Sequence, residues 1–190
     1  MKLILLTFLT AAVSLFGQET ALELDPAQTH VEFILGAVLH TVHGTFQLKR
    51  GVVRYDLATG KASGEIVIDA RSGQSGNDSR DKKMHQSILE SGKYPEIVFL
   101  PDRVEGSVAK ANVHGTFRIH GQDHDMTVAV ESTANDGRLD FHTQFVVPYV
   151  QWGMKNPSTF LLRVGDKVDL DIRAAGKITA PDGRVVSSSR

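Results

Sequence analysis

The stretch TVHGTFQLKRG, Thr41–Gly51, decides the fold, because its central word VHGTF returns in NVHGTFRIHGQ, Asn112–Gln122. In the first copy Val42, Gly44, Phe46 and Leu48 share one face at period two, and His43, Thr45, Gln47 and Lys49 share the other. The second copy repeats this with Val113, Gly115, Phe117 and Ile119 against His114, Thr116, Arg118 and His120. Such alternation belongs to a half-buried β-strand. The Gly on each apolar face stands where a side chain would otherwise project, which predicts a strand bend or the close approach of another backbone.

The same alternation recurs at short intervals. Val31, Phe33 and Leu35 share a side, as do Ile66 with Ile68, Ile97 with Phe99, and Met126 with Val128 and Val130. Leu139, Phe141, Thr143 and Phe145 follow, then Val168, Leu170 and Ile172. The words ATGK, HGQD, NDGR and VGDK lie between these runs and supply Gly or Asn/Asp where positive φ is wanted. The expectation is a mainly β domain, an antiparallel barrel or sandwich built from hairpins. One segment departs from period two. NDSRDKKMHQSILESGKYP offers Asn77, Asp78 and Ser79 as N-caps, spaces Met84 and Ile88 by four, and stops at Gly92 and Pro95. It predicts a helix near 78–90 that presents Met84, Ile88 and Leu89 to the sheet. So narrow an apolar stripe does not fold alone, so the helix is expected to cap or flank one end of the barrel.

Composition narrows the function. The 190 residues form one domain, with 41% apolar residues to build a core. Residues 1–17 read as a secretory signal peptide: basic Lys2, an apolar run from Leu3 to Phe16, and cleavage expected after Gly17. That run is shorter than the roughly 20 residues of a membrane span. The mature protein is therefore expected to be exported, periplasmic or secreted. The chain has no cysteine, which excludes disulfides, thiolate catalysis and Cys-ligated metal centres. Its formal net charge is −1, or −2 once Lys2 is removed, and no basic run in the sequence marks a nucleic-acid or anionic-membrane partner.

Catalytic motifs are missing. The sequence contains no G-x-S-x-G elbow, P-loop, H-E-x-x-H helix or dinucleotide fingerprint. Among the eight histidines, His40 and His43 fall on opposite faces of a strand. His120 and His124 flank the HGQD turn near Asp123 and Asp125 and form the better metal candidate, against the plainer reading of solvated turn residues. Arg80 and Asp81 at the helix start read as a pair or cap. What remains is apolar: Phe side chains on most strands, and Trp152 beside Met154 and Phe160. A closed barrel of about eight strands either fills its interior with such side chains or holds one elongated ligand.

The succession LDPAQTHVEF, HGTF, SGQSGNDSRDKKMHQSILESGKYPEIVF, VHGTFRIHGQDHDMTVAV and WGMKNPSTFLLRVGDKVDLDI resembles the YceI family of exported, lipocalin-like lipid-binding proteins. The resemblance spans residues 22–178 and leaves 179–190 as a flexible tail. Its most specific parts are the R-D pair leading a short helix into K-Y-P-x-I-x-F, and the V-x-G-x-F-x-I-x-G strand and turn. It implies an extended antiparallel barrel whose interior takes a long isoprenoid chain, polyprenyl or quinone-type, with no enzymatic activity, cofactor or metal. Transient membrane contact for lipid exchange and a homodimer are both left open. Phe33, Phe46, Phe99, Phe117, Phe141, Phe145 and Trp152 are the expected interior residues, with Met84 and Ile88 on the helix as lid or wall. One departure is the apolar ILGAVLHTVHG after Phe33, where many members place a basic residue and His. Alternatives from other classes are a metal-dependent enzyme or stress protein using surface histidines, and a structural module with a filled core.

Overall fold

The computed structural model of the chain describes residues 19–180, apart from Leu39, Asp136 and Leu161. The expected leader and all but the first two residues of the expected tail lie outside the described residues. Nine strand segments form one antiparallel sheet: β1 (Thr20–Leu24), β2 (His30–Gly36), β3 (Thr41–Asp56), β4 (Lys61–Gln74), β5 (Glu96–Gly106), β6 (Lys110–Ile119), β7 (Gln122–Asn135), β8 (Arg138–Val147) and β9 (Val168–Thr179). From β3 to β9 each strand pairs with the next in sequence, and the first two segments lie between β9 and β3.

Those first two segments occupy a single place in the sheet. β1 pairs with the far ends of β3 and β9 (Leu22 opposite Val53 and Ile178), and β2 with their near ends (Val31 opposite Phe46 and Ile172). Pro26, which has no N–H for a ladder, interrupts them with a 3-10 turn over Pro26–Gln28 that the Asp25 carboxylate caps by accepting the Ala27 N–H at 2.9 Å. The nine segments thus make a closed barrel of eight strand positions, sealed by the β3–β4 pairing from Thr45–Gln74 to Asp56–Lys61. The sequence reading anticipated the eight-stranded barrel but did not find β1.

Within the barrel the alternation points as read. Leu139, Phe141, Thr143 and Phe145 of β8 all face the interior, as do Val168, Leu170 and Ile172 of β9. At the β6–β7 hairpin the HGQD word supplies His120 (φ 53°) and Gly121 (φ 73°), the positive pair that a tight two-residue turn requires. VGDK differs: it closes no hairpin but ends a long connection, residues 148–167, where Gly165 N–H donates to Gly36 O at 2.8 Å. β9 also runs one residue into the expected tail, where Thr179 pairs with Ala21.

The helix forms where expected and ends slightly early. α1 (Asp78–Lys83) is capped by Asn77, whose Oδ1 accepts the Arg80 N–H at 3.0 Å, and it continues as a π-helical turn over Met84–Ile88. Polar contacts pin it to the end of β4. Asp81 accepts from the Ser75 N–H and hydroxyl, Arg80 Nη2 donates to Ser75 O at 2.7 Å, and His85 Nε2 lies 2.8 Å from Gly73 O.

The two repeated glycines have close-packing roles. A Cβ on Gly44 would lie 2.2 Å from the Phe33 ring and 2.5 Å from Gln74 O, and one on Gly115 would lie 2.3 Å from Leu100 O and 2.8 Å from the Pro101 Cα. Beside Gly115, β5 carries a register shift between Pro101 and Arg103, so its backbone swings toward the glycine. Gly115→Ala is expected to destabilise the fold by about 1–3 kcal/mol through overpacking, a fall of several degrees in Tm for a chain of this size. An unchanged Tm in thermal denaturation would show that the β5 backbone retreats freely.

Candidate functional site

The barrel interior holds two apolar chambers in line. The chamber at the helix end has a volume of about 440 Å³, within the roughly 300–1,000 Å³ typical of ligand sites. The far chamber is smaller, about 180 Å³. Six side chains, Val31, Ile68, Ile97, Phe117, Phe145 and Ile172, border both, so they form a waist between the chambers. Phe117 and Phe145 meet there edge to face with ring centroids 6.1 Å apart.

The far chamber has few polar groups, and those are largely committed to the protein's own backbone. Thr143 Oγ1 donates to Ala129 O at 2.7 Å, and the Ser132 hydroxyl donates to Val108 O. A water there would find too few partners, so the chamber favours hydrocarbon over solvent. Burial also pushes the Tyr55 phenol, on the same wall, above its ordinary pKa. In the helix-end chamber Tyr149 donates to Gly165 O at 2.6 Å, and its pKa is pushed up to about 12 by burial and the nearby Asp166 charge.

The helix-end chamber reaches the surface between helix 78–88 and the loops 37–40 and 148–167. Exposed Asn77, Ser79 and Lys83 form part of its wall, with half-buried Arg80 beside them and His40 opposite. Lys83 Nζ donates to Pro157 O at 2.8 Å and ties the helix to the long loop across this mouth. Arg80 and Lys83 are charged, and no Asp or Glu is among the described wall residues of this chamber. Along strands of 14 residues the interior extends roughly 35 Å, at about 3.3 Å per residue and the usual barrel tilt.

Eight of the nine expected interior residues border a chamber. Phe33, Phe46, Met84 and Ile88 stand at the helix end, Phe99 and Phe141 at the far end, and Phe117 and Phe145 in the waist. Trp152 lies outside both linings, stacked on His124 at 3.9 Å and tilted against Phe117 with centroids 5.8 Å apart. Residues that the sequence reading did not single out as site residues complete the walls. Ile68, Ile97 and Ile172 could have been found by extending the period-two pattern, whereas Tyr55 and Tyr149 carried no such signal.

The histidine candidate takes another form. His120 Nε2 lies 2.7 Å from Glu90 Oε2, and Asp123 is held by Arg118, whose Nε and Nη2 donate at 2.6 and 2.9 Å. That guanidinium keeps the Asp123 carboxyl below the usual carboxylate range. His43 pairs instead with Glu32, at 2.7 Å on the outer face. Among the described residues no three His, Asp or Glu side chains converge as metal ligands.

A closed eight-stranded barrel with an apolar interior and a helix across one end defines a lipocalin-like protein. Residues 22–175 match the YceI-like domain, and the chain belongs to the YceI-like family. Its fold is similar to that of Burkholderia cenocepacia BcnA, with a TM-score of 0.68 at 19% identity over 80% of this chain and 98% of that one. A polyisoprenoid binding domain from Saccharophagus degradans, implicated in plant cell wall breakdown, is similar with a TM-score of 0.61 at 16% identity over 82% and 97% of the two chains. The YceI protein of Campylobacter jejuni is similar with a TM-score of 0.61 at 19% identity over 72% and 84%. No match was found among curated proteins.

Trp152 is the chain's one tryptophan, and its closeness to Phe117 makes it a reporter of the waist. Titration with a prenyl quinone is expected to quench its fluorescence. Trp152→Phe should remove that signal and leave uptake, measured by extraction, unchanged. Loss of uptake would instead place the indole in the binding wall.

Proposed function

We propose that the protein binds a long-chain isoprenoid lipid, of polyprenyl or quinone type, inside the barrel and sequesters or carries it outside the cytoplasm without altering it chemically. The observation that carries this reading is the pair of in-line apolar chambers sharing one aromatic waist. An extended hydrocarbon chain matches that shape better than a compact ligand does. Each CH₂ taken from water contributes about 0.8 kcal/mol, so a few buried isoprene units offset the cost of ordering a flexible chain. The family match and the polyisoprenoid binding relative support the same ligand class.

Orientation follows from polarity. The donors at the helix-end mouth, from Arg80, Lys83, Asn77 and Ser79, suit an oxygen-bearing headgroup, and the far chamber suits the end of the tail. The Phe117–Phe145 pair in the waist would have to rotate or part as the tail threads through it. Ordered uptake, tail first from the helix end, is therefore part of the proposal.

Native mass spectrometry of the protein from its own host, followed by organic extraction, tests the reading. A discrete added mass that extracts as an intact prenyl lipid is the expected result. A bare mass with no uptake of offered polyprenyl or quinone lipids, or stoichiometric zinc or copper in its place, would sink it. Phe145→Trp, which adds bulk to the waist, is expected to weaken binding of long polyprenyl chains about tenfold, or roughly 1.4 kcal/mol. Farnesyl-length chains should bind as before. Equal losses at both lengths would mean that the tail does not pass the waist.

A further inference from the structure

The most exposed apolar residues described are not scattered over the barrel. Phe160 is 99% exposed and Val38 is 72% exposed, whereas Val146 on β8 reaches 47%, and Leu57 and Val108 at far-end turns only 39% and 41%. A lone exposed apolar side chain needs no explanation. These two belong to loops that the backbone ties together: Ala37 bridges Val164, and Val38 N–H donates to Arg163 O at 3.1 Å. Phe160 stands at the tip of a tight turn in which Thr159 N–H donates to Leu162 O at 2.8 Å and Leu162 N–H to Thr159 Oγ1 at 3.1 Å. The turn holds the ring out from the protein. Ala37, Thr159 and Leu162, next to the two tips, line the helix-end chamber itself.

Charge gathers on the same rim. The long loop carries Lys155, Arg163 and Lys167 against Asp166, and the helix carries Arg80, Lys82 and Lys83 against Asp78 and Asp81, in a chain whose formal net charge is −1. Lys82, Lys83, Lys155, Arg163 and Lys167 are all exposed. No run in the sequence announces this patch, because its bases come from separate segments that the fold brings to one end.

We infer that this rim is a docking surface for an anionic phospholipid bilayer, with Phe160 and Val38 entering the headgroup boundary and the surrounding bases facing lipid phosphates. Two small apolar tips with a few bases make a weak, reversible contact rather than an anchor. The docked rim sets the mouth of the apolar interior against the membrane, so a chain could pass between the two without crossing open water. The inference rests on the carrier reading for the traffic it serves, but the contact itself does not depend on that reading.

Vesicle flotation tests it with wild type and the double variant Val38→Asp plus Phe160→Asp, neither residue being part of a chamber wall. The probes are phosphatidylcholine vesicles with and without phosphatidylglycerol, at low and raised salt. Wild type is expected to float with the anionic vesicles, less at raised salt and less on pure phosphatidylcholine. The double variant should lose about tenfold or more of that partitioning while keeping its Tm and its uptake of polyprenyl lipid from detergent. Equal flotation of variant and wild type, equal flotation on neutral vesicles, or no flotation of wild type would each overturn the inference. So would self-association without vesicles that the same variant abolishes, since the tips would then meet a second copy of the chain. Failure of both proteins to take up lipid from detergent would count against the carrier reading alone, and flotation would still decide the docking surface.

Discussion

Closure of the sheet is the constraint on which the rest of the structure depends. An open antiparallel sheet would expose two edges of unpaired N–H and C=O groups and one broad apolar face. The pairing of β3 with β4 abolishes both edges at once and turns the apolar face inward. The interior is then bounded by side chains alone, and its polarity is that of the inward residues of eight strand positions. Even the break between β1 and β2 respects this requirement, since Asp25 and the 3-10 turn absorb the proline and the chain rejoins the same place in the sheet.

The two ends of the barrel are unlike for a related reason. At the far end Leu22, Leu24, Leu48, Leu139 and Ile178 pack into a buried apolar cluster, and the first four also line the smaller chamber. At the other end the barrel is covered by elements outside the sheet, a short helix and two loops, whose backbone groups need polar partners of their own. Among those partners Asn77 caps the helix, while Asp81, Arg80 and His85 pin it to the end of β4. The outcome is an interior with apolar depth and a polar, cationic mouth, a polarity gradient along the axis that suits an amphiphile.

Much of this was legible in the chain. Period two assigned the inward face of β3, β6, β8 and β9, and the helix showed itself by its cap residues and the Met84–Ile88 spacing. β1 escaped because five residues just ahead of Asp25 and Pro26 are too few to show a period. Trp152 resisted placement because it sits in an irregular loop, where alternation says nothing about direction. The HGQD histidines drew attention as candidate ligands, yet each found another partner, Glu90 for His120 and the Trp152 ring for His124. Such partners lie far off in sequence and could not be inferred from local spacing.

The sequence by itself determined most of the secondary structure, the inward face of most strands and the family, because all three are written in short-range periodicity and local motifs. Tertiary structure alone decided that the interior is hollow in two chambers, that Phe117 and Phe145 meet at the waist, and that the exposed apolar tips and dispersed bases share one rim. Those properties depend on distances between residues remote in the chain. Distances of that kind exist only once the sheet has closed on itself.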